Sequence, residues 1–238
     1  MPIKKLSIII PVFNEEHTVA QLLRRVLSVR FPIEHVEYIV VDDGSTDNSK
    51  AQIKNLQLKK IKLFVHKKNQ GKGAAVRTGL KYATGDYIII QDADLEYNPE
   101  DIKKLLKKLE DGDKPVVYGT RLKRLPNIKE DVKTFYLLHY FGNRFLSLIT
   151  SILYGYWVTD MECCYKLIPR KALKDIQLHA RGFEFEPEIT AKLLKRGYQI
   201  AEVSIHTTPR GYDGGKKLYA VRDGTKALLT LLKYRFVE

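Results

Sequence analysis

Carboxylates recur in this chain where short apolar runs stop. Glu15 closes Pro11-Val12-Phe13-Asn14-Glu15, a pair opens Asp42-Asp43-Gly44-Ser45, and three acids alternate in Asp92-Ala93-Asp94-Leu95-Glu96. Each motif alone reads most simply as a turn or a helix cap, which Asp and Gly both favour. Three of them, each behind an apolar run, are hard to explain as turns. Unpaired carboxylates brought together repel one another, so a cation is their natural mate. Oxygen-only ligands point to Mg2+ or Mn2+, ions that commonly bridge a carboxylate and a diphosphate.

The acids meet only if the runs before them are neighbouring strands. Strand-length apolar segments at 6–11, 38–41, 61–65, 87–90 and 116–118 alternate with segments of helical period at 18–29, 49–56, 74–83 and from Pro99 onward. That rhythm predicts an α/β fold, a mostly parallel sheet flanked by helices. Pro99 suits a first helical turn, and Asp101 suits its positive end. In such sheets ligands bind beyond the carboxyl ends of the strands, which is where the three acidic motifs fall. Beyond residue 122 the rhythm changes. An aromatic-rich stretch at 135–157 is followed by a mixed segment with a helix at 186–196 and a strand at 199–205. A glycine-rich basic loop at 209–217 then leads to an amphipathic helix at 219–234.

Other features sort by elimination. The 238 residues are 44% hydrophobic, enough for a sizeable core. The net charge of +13 admits nucleic acid, anionic lipid or a phosphate-rich substrate. No zinc-finger spacing and no aromatic RNP signature supports nucleic acid as a partner. Gly71-Lys72-Gly73 lacks the Walker spacing and reads as a loop on the ligand edge or a helix entrance. The six histidines show no i, i+4 pair, and the adjacent Cys163 and Cys164 fit neither a disulfide framework nor a metal site. A reducing, cytoplasmic setting is the expectation, and residues 1–10 are too short an apolar run for a signal peptide or a spanning helix.

The ordered set Pro11-Val12-Phe13-Asn14-Glu15, Val41-Asp42-Asp43-Gly44-Ser45 and Asp92-Ala93-Asp94 resembles glycosyltransferase family 2, with its GT-A fold. Gly119-Thr120-Arg121 and the loop Arg210-Gly211-Tyr212-Asp213-Gly214-Gly215-Lys216 look like the dolichyl-phosphate mannose synthase branch. The resemblance implies that Pro11, Phe13, Glu15, Val41 and Asp43 hold the nucleoside. It lays Asp92 and Ala93 along the donor, gives Asp94 and Glu96 to the metal, and gives Arg121, Arg210 and Lys216 to phosphates. The expectation is one single domain over 1–238, with a nucleotide-sugar half at 1–122, an acceptor-side half at 123–217 and a C-terminal amphipathic helix at 218–238.

The activity so implied is inverting transfer of a sugar, mannose or glucose first, from a nucleoside diphosphate to a polyprenyl or dolichyl phosphate. Arg121, with Arg144, would orient the acceptor phosphate. A phosphate monoester has a second pKa of about 6 and needs little help from a base. A sugar hydroxyl on a glycan or soluble acceptor would need one, and Asp160 is then the candidate. A non-catalytic nucleotide-sugar- or nucleic-acid-binding protein is the alternative from another class. The absence of a Gln-x-x-Arg-Trp run argues against a processive polysaccharide synthase. Tyr136, Tyr140, Tyr154, Tyr156 and Trp157 suit a headgroup interface, and Arg144 interrupts any spanning stretch. In the last helix Ala227, Leu228, Leu231, Leu232 and Phe236 lie among Lys226, Lys233 and Arg235, as on a helix resting at an anionic surface. Core packing accounts for either segment equally well. The expectation is a peripheral protein on the cytoplasmic face of a membrane.

Overall fold

The computed structural model describes residues 3–122, 134–208 and 220–237. Seven strands form a sheet in the order β3-β2-β1-β4-β6-β5-β7. They are β1 (Lys5–Val12), β2 (His35–Asp42), β3 (Ile61–Val65), β4 (Tyr87–Ile90), β5 (Val116–Thr120), β6 (Lys166–Pro169) and β7 (Ile200–Ser204). The pairings β1 with β2, β2 with β3, β1 with β4 and β5 with β7 are parallel. Only β6 runs the other way, antiparallel to both β4 and β5. Six strands therefore share one direction, and β1, β2, β4 and β5 all deliver their carboxyl ends to one edge. Reversal of β6 brings its preceding loop, 160–165, to that same edge.

The central strands β1, β2 and β4 are rich in β-branched residues and largely buried. Leu6, Ile8, Ile10 and Val12 join one core, into which α1 (Val19–Ser28) packs Val19, Leu22, Leu23 and Val26 at helical spacing. Ile9, Ile39 and Val41 face the other way, under Ala75 of α3 (Lys72–Tyr82). The remaining helices are α2 (Ser49–Asn55), α4 (Ile102–Glu110), α5 (Thr134–Tyr154), α6 (Arg170–Lys174), α7 (Phe185–Lys195) and α8 (Ala220–Phe236). A 3-10 turn, Pro99–Asp101, leads into α4 and is capped by Asn98, whose side-chain oxygen accepts from the Glu100 N–H at 3.2 Å. Cys163 and Cys164 are free and buried.

At the amino edge of the sheet the buried Glu37 gathers partners from three segments. Ser7 Oγ donates to it at 2.6 Å, the Thr84 N–H at 2.6 Å and the Gly85 N–H at 3.2 Å, while Lys62 reaches it at 3.0 Å. Burial alone would raise this carboxyl. The hydrogen bonds from Ser7, Thr84 and Lys62 outweigh it and hold the pKa at about 2.

Helices α5 and α8 pack together, and the Tyr154 hydroxyl donates to the Leu231 carbonyl at 2.7 Å. Each keeps an apolar stripe exposed: Phe141, Phe145, Leu148 and Ile152 on α5, and Val221, Leu229, Leu232 and Phe236 on α8. Among the described residues no helix is long and apolar enough to cross a membrane.

Candidate active site

The carboxyl edge of β2-β1-β4 collects the three acidic motifs side by side. Beyond β1, Asn14 takes a left-handed backbone with φ of 49° and accepts the Thr46 N–H on its side-chain oxygen at 2.8 Å. Ser49 Oγ accepts the Glu15 N–H at 2.7 Å, and the Glu15 carboxylate accepts from Thr18 Oγ1 at 2.7 Å. Pro11 and Phe13 are half-buried and Val41 is fully buried. These contacts tie the first two strand ends into one ledge.

Asp43, on the far side of that ledge, is buried with both oxygens occupied. They accept the Gln70 N–H at 3.0 and 3.1 Å and the Gly71 N–H at 2.7 Å, and one lies 2.6 Å from His66 Nδ1. His66 Nε2 is 2.9 Å from Thr78 Oγ1 of α3. The carboxylate is thus the post around which the 66–71 loop wraps. Neighbouring Asp42 accepts the Ser45 N–H at 3.3 Å, and its other oxygen is buried without a hydrogen bond.

The loop ends by aiming Lys72 across the edge. Its ammonium lies 2.8 and 2.9 Å from the two Asp92 oxygens and 3.5 Å from Glu186 of α7. Burial opposes the charge on Lys72. Asp92 and Glu186 more than restore it, so the group sits well above its ordinary value. Asp92 is therefore neutralised by the chain itself. Ala93 is buried. At Leu95 the backbone turns left-handed, φ 64°, and brings the Glu96 N–H to Asp94 Oδ1 at 3.0 Å. A non-glycine residue in that region is uncommon and marks a place where surrounding structure imposes the turn.

Asp94 and Glu96 are half-buried, and no third His, Cys, Asp or Glu completes a metal cage with them among the described residues. Two carboxylates without nitrogen or sulfur ligands suit Mg2+ or Mn2+, which keep waters and take their other ligands from substrate phosphates. A closed zinc site needs four ligands and does not fit.

Arg121 follows β5 onto the same edge. Its N–H and Nε donate to Asp160 Oδ2 at 2.9 and 2.8 Å, and Nη2 donates to Oδ1 at 2.8 Å. Burial works against the guanidinium and Asp160 raises it well above its ordinary value. Asp160 is completely buried. Its backbone N–H and that of Thr159 donate to Glu202, so the pair is braced from behind by β7.

Glu162, on the same loop, has one oxygen buried without a hydrogen bond. Burial raises its pKa to about 7; Glu186 and Asp160 add to the rise, and Lys166 and Arg121 oppose it. Lys166, buried in turn, donates to Glu186 and to the Cys163 carbonyl, both at 2.5 Å. Arg210 and Lys216 lie outside the described residues.

Sequence reasoning placed Lys72 only as part of a loop, and it missed His66, Glu162 and Glu186 as members of the site. The one available signal was the unusual acidity of Phe183-Glu184-Phe185-Glu186-Pro187-Glu188, which makes sense as counter-charge to Lys72, Lys166 and Lys192.

Residues 7–177 match the family model described as Glycosyl transferase family 2. An uncharacterized protein of Methanocaldococcus jannaschii is 34% identical over 248 residues, covering 97% of this chain and 99% of its own. The UDP-N-acetylglucosamine–dolichyl-phosphate N-acetylglucosaminyltransferase of Methanococcus voltae is 33% identical over 223 residues, covering 86% of each chain. Glucosyl-3-phosphoglycerate synthase of Mycobacterium tuberculosis, a GT-A fold, superposes with a TM-score of 0.75 at 20% identity, covering 99% of this chain and 82% of that one. The same enzyme has been solved with Mn2+, UDP and glucosyl-3-phosphoglycerate (TM-score 0.72, 19% identity, 99% and 81% covered) and with Mg2+ and UDP (0.71, 18%, 99% and 80%). The chain has the α/β architecture of the GT-A fold and belongs to glycosyl transferase family 2.

Proposed function

We propose that the chain transfers a sugar from a nucleoside diphosphate to a polyprenyl phosphate, with inversion at the anomeric carbon, at the surface of a membrane. The observation that carries the choice of acceptor is the Arg121–Asp160 pair. A hydroxyl acceptor needs a base, and Asp160 has both oxygens committed to Arg121 in a buried fork. A phosphate acceptor arrives as its own nucleophile and needs a fixed cation instead. The guanidinium has five donors, of which the pair uses two, so Arg121 can present others to an anion. Asp160 is then the positioning partner that orients Arg121. The dolichyl-phosphate acceptor named for the M. voltae relative supports the same reading.

On the donor side the nucleoside lies on the ledge of Pro11, Phe13, Glu15, Val41 and Asp43, with Asp43 acting through the loop it anchors. Asp92 and Ala93 flank the sugar diphosphate, with Lys72 beside them on Asp92. Asp94 and Glu96 hold Mg2+ or Mn2+, as the ions and UDP of the M. tuberculosis enzyme suggest. The ion supplies neutralisation of the charge that develops on the departing diphosphate. Arg210 and Lys216 complete the phosphate contacts. The exposed stripes of α5 and α8, flanked by exposed Arg144, Lys226, Lys233 and Arg235, face the bilayer.

The test is a screen of UDP- and GDP-linked mannose, glucose and N-acetylglucosamine with Mg2+ or Mn2+. Polyprenyl phosphate in anionic liposomes is compared with soluble glycan acceptors. The expected result is a glycolipid product from one donor and cosedimentation with the liposomes. Transfer only to soluble acceptors would return the reaction to a hydroxyl nucleophile and Asp160 to the role of base.

A further inference from the structure

The sugar-transfer chemistry makes no use of Glu188 and Lys192, although both are completely buried in α7. Replacing a buried ion pair by well-packed apolar residues is often neutral or stabilising, so stability alone does not account for one. The two side chains are organised around a single segment, residues 177–182. The Glu188 carboxylate accepts the His179 N–H at 2.9 and 3.1 Å and the Ala180 N–H at 2.7 Å. Lys192 lies 3.1 Å from Glu188 and donates to the Gln177 carbonyl. The ring of Tyr234, from α8, covers the ammonium at 4.2 Å, and its hydroxyl hydrogen-bonds Glu188.

The other side of 177–182 presses on the first turn of α3. The Arg181 carbonyl accepts the Ala74 N–H at 3.2 Å, and Arg77 Nη1 donates to the Leu178 carbonyl at 3.0 Å. A Cβ on Gly73 would stand 2.6 Å from the Ala180 carbonyl oxygen, and one on Gly71, where φ is 98°, would overlap that of Arg181. Between those two glycines sits Lys72, already fixed on Asp92.

We infer that Glu188, Lys192 and Tyr234 are positioning residues for the donor site: they set the 177–182 segment, which sets the first turn of α3 and hence Lys72. The C-terminal helix is thereby connected to nucleotide binding as well as to the acceptor. This rests on the donor-site reading above.

The experiment measures the affinity for UDP and for GDP, each with Mn2+, by calorimetry. Lys192→Met keeps the length of the side chain and removes its charge. It is expected to weaken binding about tenfold, within the usual range of coupling between sites. In a Lys72→Met background the same change is expected to move affinity less than about twofold, because coupled residues are not additive. Should Lys192→Met fail to fold, Glu188→Gln with Lys192→Met removes both charges at once, and Tyr234→Leu removes the cover alone. Both are expected to act in the same direction. Unchanged affinity in the folded variants, or full additivity with Lys72→Met, overturns the inference. A wild-type chain that binds neither nucleotide overturns the donor-site reading beneath it, which is a different result from intact wild-type binding.

Discussion

Two buried acids, Glu37 near the amino end of β2 and Asp43 just beyond its carboxyl end, are answered differently. Glu37 is held by Ser7 on β1, the Thr84-Gly85 backbone before β4 and a lysine of β3, all parts of the sheet or its direct supports. Asp43 is held mostly by the 66–71 loop. The first arrangement closes a core. The second ties a loop to the end of a strand, and that loop leads into Lys72. Burial and hydrogen bonding of a carboxylate thus do not distinguish support from function; the origin of the partners does.

The largest expected effect separates the edges most directly. Asp94→Asn should weaken Mn2+-dependent nucleoside diphosphate binding by at least about a hundredfold, more than loss of an outer-shell partner would bring, with the melting temperature unchanged. Calorimetry checks the affinity and thermal unfolding checks the fold. An Asp94→Asn protein that binds as wild type would remove the metal from that edge.

Glu37→Gln should do the reverse. It should lower stability by about 2 kcal/mol, because charged hydrogen bonds are lost in a buried site, and so the melting temperature by roughly 4–8 °C. Nucleotide affinity should stay put. The pH dependence carries the sign. Glu37 has a folded pKa of about 2, below its ordinary 4.5. Its stabilisation is therefore fully present above about 4.5 and is lost as pH falls toward 2. A wild-type acid transition no steeper than that of Glu37→Gln across this window would dismiss the network as a stabilising one.

An effect of comparable size has the opposite slope. Glu162 is raised from 4.5 to about 7, so folding favours its protonated form and stability falls as pH climbs from about 4.5 to 7. Glu162→Gln should flatten that decline. Denaturant midpoints at intervals across the window read it, and a decline of equal size in the variant would assign it to another group.

Much of the fold was legible because it rests on periodicity. The strands 61–65 and 87–90 were expected at their observed limits, and α1 to within one residue at each end, since β-branched runs and i, i+3, i+4 spacing are local signals. The direction of β6 was not, because four residues between a loop and a short helix carry no mark of the partner they will pair with. The same division runs through the site. Asp42, Asp92 and Asp94 stood out because acids at strand ends are a sequence pattern. Lys72 on Asp92, Lys166 on Glu186 and His66 on Asp43 join residues 20, 20 and 23 positions apart, and no spacing rule spans such gaps.

The vicinal cysteines have a practical consequence. Both thiols are enclosed, and burial pushes Cys163 up to about 12 and Cys164 well above its ordinary value. Almost none of either is thiolate at neutral pH, and the thiolate is the form that alkylating reagents capture. The sequence holds no other cysteine. A single cysteine introduced on the exposed face of α8 is therefore the site a maleimide probe would find in the folded chain, so fluorescence could report that helix without first removing the native pair.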